Sequence, residues 1–168
     1  MYYLRNNIIP LNMSNPQEPS LEGSIFFYPP EYYVFDNFSS FQVEYKGKIY
    51  PTSEHAYQSF KFVNSDAELA ERIRNARSAH EAFKLAESNK EKREKDWDDI
   101  KLKIMKEILI CKVNQHEYVM KKLIQSGDRE IVEDSWRDSY WGWGEDRNGE
   151  NMLGKLWMEV RKEIRDKG

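Results

Sequence analysis

Pro51-Thr52-Ser53-Glu54-His55-Ala56-Tyr57-Gln58-Ser59-Phe60-Lys61 is where this 168-residue chain changes from strand-like to helical character. Pro51 stops the strand before it, because its ring fixes φ and removes a backbone donor. Thr52 or Ser53 can then cap a helix that starts near Glu54. On that helix Glu54, Tyr57, Gln58 and Lys61 fall at i, i+3, i+4 and i+7 and share one face. A stripe of Glu, Gln and Lys around a Tyr usually belongs to a solvated surface. Here Ala56, Tyr57 and Phe60 leave much of the circumference apolar, so the helix reads as largely buried. A buried Glu and a buried Lys both need partners.

Upstream of this junction the pattern is β. Ile25-Phe26-Phe27 is a short strand, and Phe41, Val43 and Tyr45 alternate with polar residues. Lys46-Gly47 turns that second run back into Lys48-Ile49-Tyr50 as a hairpin. Downstream the chain is mostly helical. Ser65-x-x-Glu68 and Ser78-x-x-Glu81 are capping-box signals for two short helices. A longer helix is expected from Lys92 to Lys112, with Trp97, Ile100, Ile104, Ile108 and Cys111 as its apolar stripe. Glu117 to Gln125 forms a further helix ending at Gly127, and Glu130 to Glu133 a brief strand. Leu153, Leu156, Trp157, Val160 and Ile164 give the last helix its apolar face. The expectation is an α+β, mainly α-helical single domain over 24–168 with a small antiparallel β element. Residues 1–23, with Pro10, Asn12, Asn15, Pro16 and Pro19, read as an irregular N-terminal arm.

Composition narrows the function classes. A net charge of −3 leaves no basic footprint for gripping duplex nucleic acid. The single cysteine, Cys111, cannot build a disulfide or a thiolate metal site, and reads as a small core residue. His55, His80 and His116 have no metal-ligand spacing, so neither a metal nor a cofactor is expected. No run approaches membrane-spanning length and no signal peptide is visible, which points to a cytoplasmic protein without a membrane partner. An aromatic content of 14% leaves rings for a pocket as well as for a core.

The second informative segment is Asp138-Ser139-Tyr140-Trp141-Gly142-Trp143-Gly144, followed by Asn148-Gly149 and Asn151. Two Trp residues alternating with Gly, beside an acid and two amides, suit a binding loop, though a Gly-rich turn whose Trp residues plug the core would read the same way. Trp offers a flat face for a ring; Asp and Asn offer orienting hydrogen bonds.

With these two segments, Phe35-Asp36-Asn37-Phe38, Trp97, Glu133 and Asn151-Met152-Leu153-Gly154 followed by Met158 and Arg161, the chain resembles the NADAR (YbiA-like) family. The resemblance runs from about Ser24 to the C-terminus, and several motifs in order are more specific than one. It implies a compact, mostly α-helical N-glycosidase that cleaves a ribose from a nitrogen. The implied partners are small-molecule ribosyl or ADP-ribosyl substrates: ribosylamino-pyrimidine intermediates of riboflavin biosynthesis, or ADP-ribosylated guanine, including guanine within nucleic acid. The chain departs from the family pattern twice. Ala86-Glu87 stands where members often carry Gly-Arg, which removes a phosphate contact, and Asp36 replaces a usual Ser.

Breaking an N-glycosidic bond builds positive charge on the sugar, so a carboxylate facing C1 stabilises the transition state. Glu54, Glu133 and Asp138 are the acids within matching motifs, and Glu54, Lys61 and Asp138 form the expected catalytic set. Lys61 is either a cation pairing with carboxylate or phosphate, or an amine that attacks C1 to form a Schiff base. Asn37, Phe38, Trp97, Glu133, Trp141, Gly142 and Asn151 form the expected substrate-binding set. Quieter roles exist: Glu133 as a local cap or ion-pair partner, Trp97 as core, and Asn151 as the N-cap of the last helix. The alternative function is a non-catalytic ADP-ribose or nucleotide-binding module. A Glu and a Lys on one buried face favour the enzyme, since a binder of phosphorylated ligands would bring more Arg and Gly-rich nests.

Overall fold

The computed structural model of this chain describes residues 23–27 and 30–167, so nearly all of the expected N-terminal arm lies outside the described residues. Among the described residues two small strand pairs and six α-helices make up the fold. Strand β1 (Ile25–Phe26) pairs in parallel with the distant β4 (Ile131–Val132), placing Ile25 beside Ile131 and Phe26 beside Val132. Strands β2 (Val43–Tyr45) and β3 (Lys48–Tyr50) form the expected antiparallel hairpin around Lys46-Gly47. Between β1 and β2 a short 3-10 segment, Pro30–Phe35, leads into the 36–39 turn.

The helices are α1 (Ser53–Phe60), α2 (Ala67–Arg74), α3 (Ala79–Glu87), α4 (Trp97–Gln115), α5 (Glu117–Gln125) and α6 (Met152–Lys167). Helix α4 is the spine, packing against α1, α5, α6 and β2. Its Trp97, Ile104, Met105, Ile108 and Leu109 meet Leu153, Leu156, Trp157 and Val160 of α6 in the main core. A second, smaller core under α1 joins Phe62 with Leu69, Ala70 and Ile73 of α2 and Ala82 and Ala86 of α3. Cys111 is only partly buried against the main core.

Two helix starts differ from the sequence expectation. The cap of α2 is Asp66, whose Oδ1 accepts from Leu69 N at 3.0 Å, and not Ser65. Starting one residue later lets Leu69, Ala70 and Ile73 face the small core, and that burial sets the register. Helix α4 starts at Trp97, five residues after Lys92, because residues 93–94 serve the tertiary structure. Arg93 is extended, Glu94 N donates to Lys61 O at 2.8 Å, and the Glu94 carboxylate caps Asn64 N at 2.7 Å. The first turn of α4 then carries Asp98 and Asp99, which suit the positive end of the helix dipole.

Helix α6 approaches β4 closely enough that a Cβ on Gly154 would stand 2.0 Å from Ile131 O. Any side chain there would push the helix off the strand, so Gly154 is a packing requirement. The buried Lys112 reaches from α4 to the 36–39 turn, donating to Asp36 O at 3.0 Å and Ser39 Oγ at 2.8 Å. Burial lowers its pKa to about 7. Trp157 Nε1 donates to Phe35 O at 2.9 Å, pinning the same turn from α6.

Candidate active site

Helix α1 is held rigidly before any site chemistry enters. Thr52 Oγ1 caps it by accepting from His55 N at 3.2 Å. The His55 ring lies between Thr52 Oγ1 (2.8 Å) and Ala76 O (3.1 Å), and Ser59 Oγ donates to Ala70 O. Every residue from Ser53 to Ser59 is buried, as the apolar circumference predicts. Asn37 O accepts from Glu54 N at 3.0 Å, which docks the 36–39 turn on the N-terminus of α1.

A cavity of about 410 Å³ opens beside this helix, and Glu54, Tyr57, Gln58 and Lys61 form one wall of it. The turn contributes Asp36, Asn37 and Phe38; α3 contributes His80, Phe83 and Glu87. The 133–141 segment adds Glu133, Ser135, Arg137, Asp138 and Trp141, with Met105 and Leu153 at the back. All three expected catalytic residues, Glu54, Lys61 and Asp138, therefore line one space. Its size falls within the range of about 300–1,000 Å³ usual for ligand pockets.

Glu54 is 6% exposed, and burial raises its carboxyl pKa to about 7. Two groups oppose the rise: Gln58, whose Nε2 donates to Glu54 Oε1 at 2.7 Å, and the positive charge of Lys61. Burial lowers the Lys61 amine, while Glu54 and Glu87 pull it back upward. Lys61 Nζ lies 3.8 Å from Glu87 Oε1 at the cavity mouth and 5.2 Å from the centre of the Tyr57 ring. Glu133 rises further, to about 8, through burial and then the nearby Asp138, Asp36 and Glu54. Asp138 Oδ1 accepts from Tyr140 N (2.9 Å) and Trp141 N (2.7 Å), so one of its oxygens shapes the turn that presents Trp141.

Four buried side-chain polar atoms of the described residues have no hydrogen-bond partner, and three of them line this cavity: Asn37 Oδ1, Gln58 Oε1 and Glu133 Oε2. Oxygens placed in this way can accept from a ligand that enters the cavity, or from solvent when it is open. A sugar hydroxyl or a ring amine could donate to Asn37 Oδ1 and Gln58 Oε1.

Several expected substrate contacts lie elsewhere. Trp97 is 1% exposed, sits outside the cavity lining and packs behind Tyr57 with ring centres 5.1 Å apart. Trp141 lines the cavity and meets the other side of Tyr57 edge-on at 5.4 Å. Gly142 is buried, and a Cβ there would stand 2.8 Å from Glu133 O and 3.0 Å from Asp138 O. It is the residue that lets the loop fold onto itself. Asn151 neither lines the cavity nor caps α6 through its side chain. At φ 50° its Oδ1 accepts from Glu133 N at 2.9 Å and its Nδ2 donates to Ile131 O at 2.9 Å. Trp143 is core, with Nε1 donating to Asp134 at 2.8 Å and its ring 5.0 Å from Phe26. Arg161 is also structural, donating to Ser126 Oγ and Arg129 O.

Sequence reading missed the α3 wall and Arg137. His80, Phe83 and Glu87 fall at i, i+3 and i+7, the same spacing that singled out α1, and that signal was available. Ser135 and Arg137 carried no periodic signal. Among the described residues no group of His, Cys, Asp or Glu is arranged to hold a metal ion, and no helix is long and apolar enough to cross a membrane.

A mainly helical domain with buried acids and a lysine around one cavity meets its family at this point: the NADAR domain matches residues 26–165, and the chain belongs to that family. Among its relatives, an N-glycosidase of Nostoc punctiforme is 38% identical over 85% of this chain and 94% of its own. N-glycosidase YbiA of Escherichia coli is 31% identical over 93% and 98%. A riboflavin biosynthesis protein of Vibrio vulnificus is 34% identical over 87% of this chain, which spans 40% of that protein's length. The NMR structure of E. coli YbiA superposes with a TM-score of 0.77 at 30% identity, covering 86% of this chain and 84% of the other.

Proposed function

We propose that this chain is an N-glycosidase that hydrolyses the bond between a ribose carbon and the nitrogen of a base. The observation that carries the reading is that Glu54, Lys61, Glu133 and Asp138 converge on one cavity. Kinship with proteins named N-glycosidases supports it. A pure binding module has no use for an acid and an amine whose pKa values are both moved toward neutrality, whereas acid–base and nucleophilic chemistry needs them there.

In this reading the Glu54 carboxylate opposes the charge that grows on C1. Lys61 acts as the nucleophile. Its free amine adds to C1 of the opened sugar, the base departs as its own amine, and water hydrolyses the resulting imine to release the sugar and regenerate Lys61. Trp141 and Tyr57 wall the substrate, and Asn37 and Gln58 take its donors.

Ribosylamino-pyrimidines are the first substrate class, supported by the relative named for riboflavin biosynthesis and by a cavity sized for one nucleoside-like molecule. ADP-ribosylated guanine is a second, favoured by a separate observation. Phe38 and Phe83 are exposed at the cavity, and Arg137 lies 4.4 Å over the exposed Trp136 ring beside it, so a longer substrate would find aromatic support outside. Incubating the protein with each substrate and measuring free sugar tests the reading. Release from either one is expected, and release from neither would leave only the binding module.

A further inference from the structure

Cleaving a C–N bond has two halves: charge must be stabilised on carbon, and nitrogen must leave with a proton. Glu54 suits the first half because Gln58 donates to it and Lys61 faces it. Glu133 differs in each respect. It follows β4, and its backbone is clamped on both sides: Glu133 N donates to Asn151 Oδ1 at 2.9 Å, and Glu133 O accepts from Trp143 N at 3.2 Å. The side chain is thus delivered to the cavity wall at a fixed point, yet its Oε2 is buried there without a partner.

The charged groups around it are of one sign. Asp138 on its own loop, Asp36 on the turn and Glu54 on α1 all disfavour a second negative charge at Glu133. The cavity's cations are Lys61, which acts on Glu54 and Glu87, and Arg137; His80 completes the titratable lining on α3. None of them donates to the Glu133 carboxyl or pairs with it among the described residues. An acid with no donor, no cation and three acidic neighbours holds its proton, and a proton-bearing oxygen with no acceptor is free to give it to a ligand. Two acids in one site, one held by an amide donor beside a lysine and the other unpartnered among carboxylates, is the arrangement of paired base and acid roles.

We propose that Glu133 is the general acid that protonates the leaving nitrogen. The inference rests on the N-glycosidase reading. As the C1–N bond breaks, its electron pair stays with nitrogen, the Glu133 proton joins it, and the base departs neutral. The proton lost by the attacking Lys61 amine passes to Glu54 and returns to Glu133 through solvent, so the pair of acids is reset each cycle.

The test compares wild type, Glu133→Gln and Glu133→Asp on whichever of the two substrates releases more sugar. In wild type kcat/KM should fall above about pH 8, where Glu133 loses its proton. Glu133→Gln keeps the shape but carries no acidic proton, so kcat should drop by about 10²–10⁴-fold, the usual worth of general acid catalysis. KM should hold and the alkaline limb should vanish. Glu133→Asp should be slower but keep the limb. If Glu133→Gln is too slow to follow, calorimetry with uncleaved substrate decides: a wild-type Kd supports the acid role, and a lost Kd makes Glu133 a binding residue and overturns it. Near-wild-type turnover in Glu133→Gln, or residual activity that keeps the alkaline limb, also overturns it. Wild type releasing no sugar from either substrate would instead sink the N-glycosidase reading itself.

Discussion

Glu54→Gln should trade activity for stability, and both sides of the trade follow from burial. The Glu54 carboxyl has an ordinary pKa of 4.5 and rises to about 7 in the fold. Below pH 4.5 it is protonated in both folded and unfolded chains. Between 4.5 and about 7 the unfolded chain has released a proton that the folded protein still holds. Stability therefore falls as pH rises through that window and levels off above it. At about 1.36 kcal/mol per pH unit, the full effect is on the order of 3 kcal/mol. Gln keeps the side-chain shape and never ionises, so the variant escapes that loss. The attraction of Lys61 for the carboxylate is already contained in that shift, so the expected gain at pH 8 is the same, about 3 kcal/mol. Urea unfolding at pH 4 and pH 8 reads this directly, since urea leaves charge interactions unscreened. Equal stability at pH 4 and a more stable variant at pH 8 are expected. Turnover should fall by about 10²–10³-fold, the worth of one well-placed electrostatic group. A variant that is no more stable than wild type at pH 8 and retains its rate would refute the burial argument and the catalytic one together.

Three further outcomes are expected. Borohydride added during turnover should fix sugar mass on the peptide containing Lys61, and Lys61→Arg should be inactive, because Arg keeps the charge but cannot lose a proton at accessible pH; an active Arg variant without adduct would end the nucleophile role. Trp97→Ala should destabilise by about 3–5 kcal/mol as a buried core truncation, whereas Trp141→Ala should raise KM by about tenfold or more, given roughly 1–3 kcal/mol for a stacked base, with a smaller fall in Tm; parallel melting and kinetics separate the two. Asn151→Ala should lower stability by about 2 kcal/mol or more, because Glu133 N–H and Ile131 C=O each lose a buried partner; unchanged urea midpoints would show that water replaces the amide.

The 3.6-residue period made the site's central wall legible in sequence. Glu54, Tyr57, Gln58 and Lys61 had to share a face once Thr52 capped the helix, and local hydrogen bonding settles that without tertiary help. The hairpin at Lys46-Gly47 and the Ser78 cap were equally local. Helix α4 was legible in existence but not in its start, because Glu94 was drawn away to Lys61 O and Asn64.

What the sequence determined by itself was a mainly helical domain, the composition of its α1 face and the family that these motifs mark. What only the tertiary structure decided was which motif residues meet a ligand. Trp97, Trp141 and Trp143 are chemically identical in sequence, yet one supports Tyr57 from behind, one faces the cavity and one fills the core beside Phe26. Asn151 and Gly142 serve the loop's own backbone. The protonation of Glu54 and Glu133 is likewise set by chain segments far apart in sequence, since desolvation and the field of neighbouring carboxylates depend on distances through space. Periodicity constrains neighbours along a helix; only packing brings residues 36, 54, 87 and 133 around one cavity.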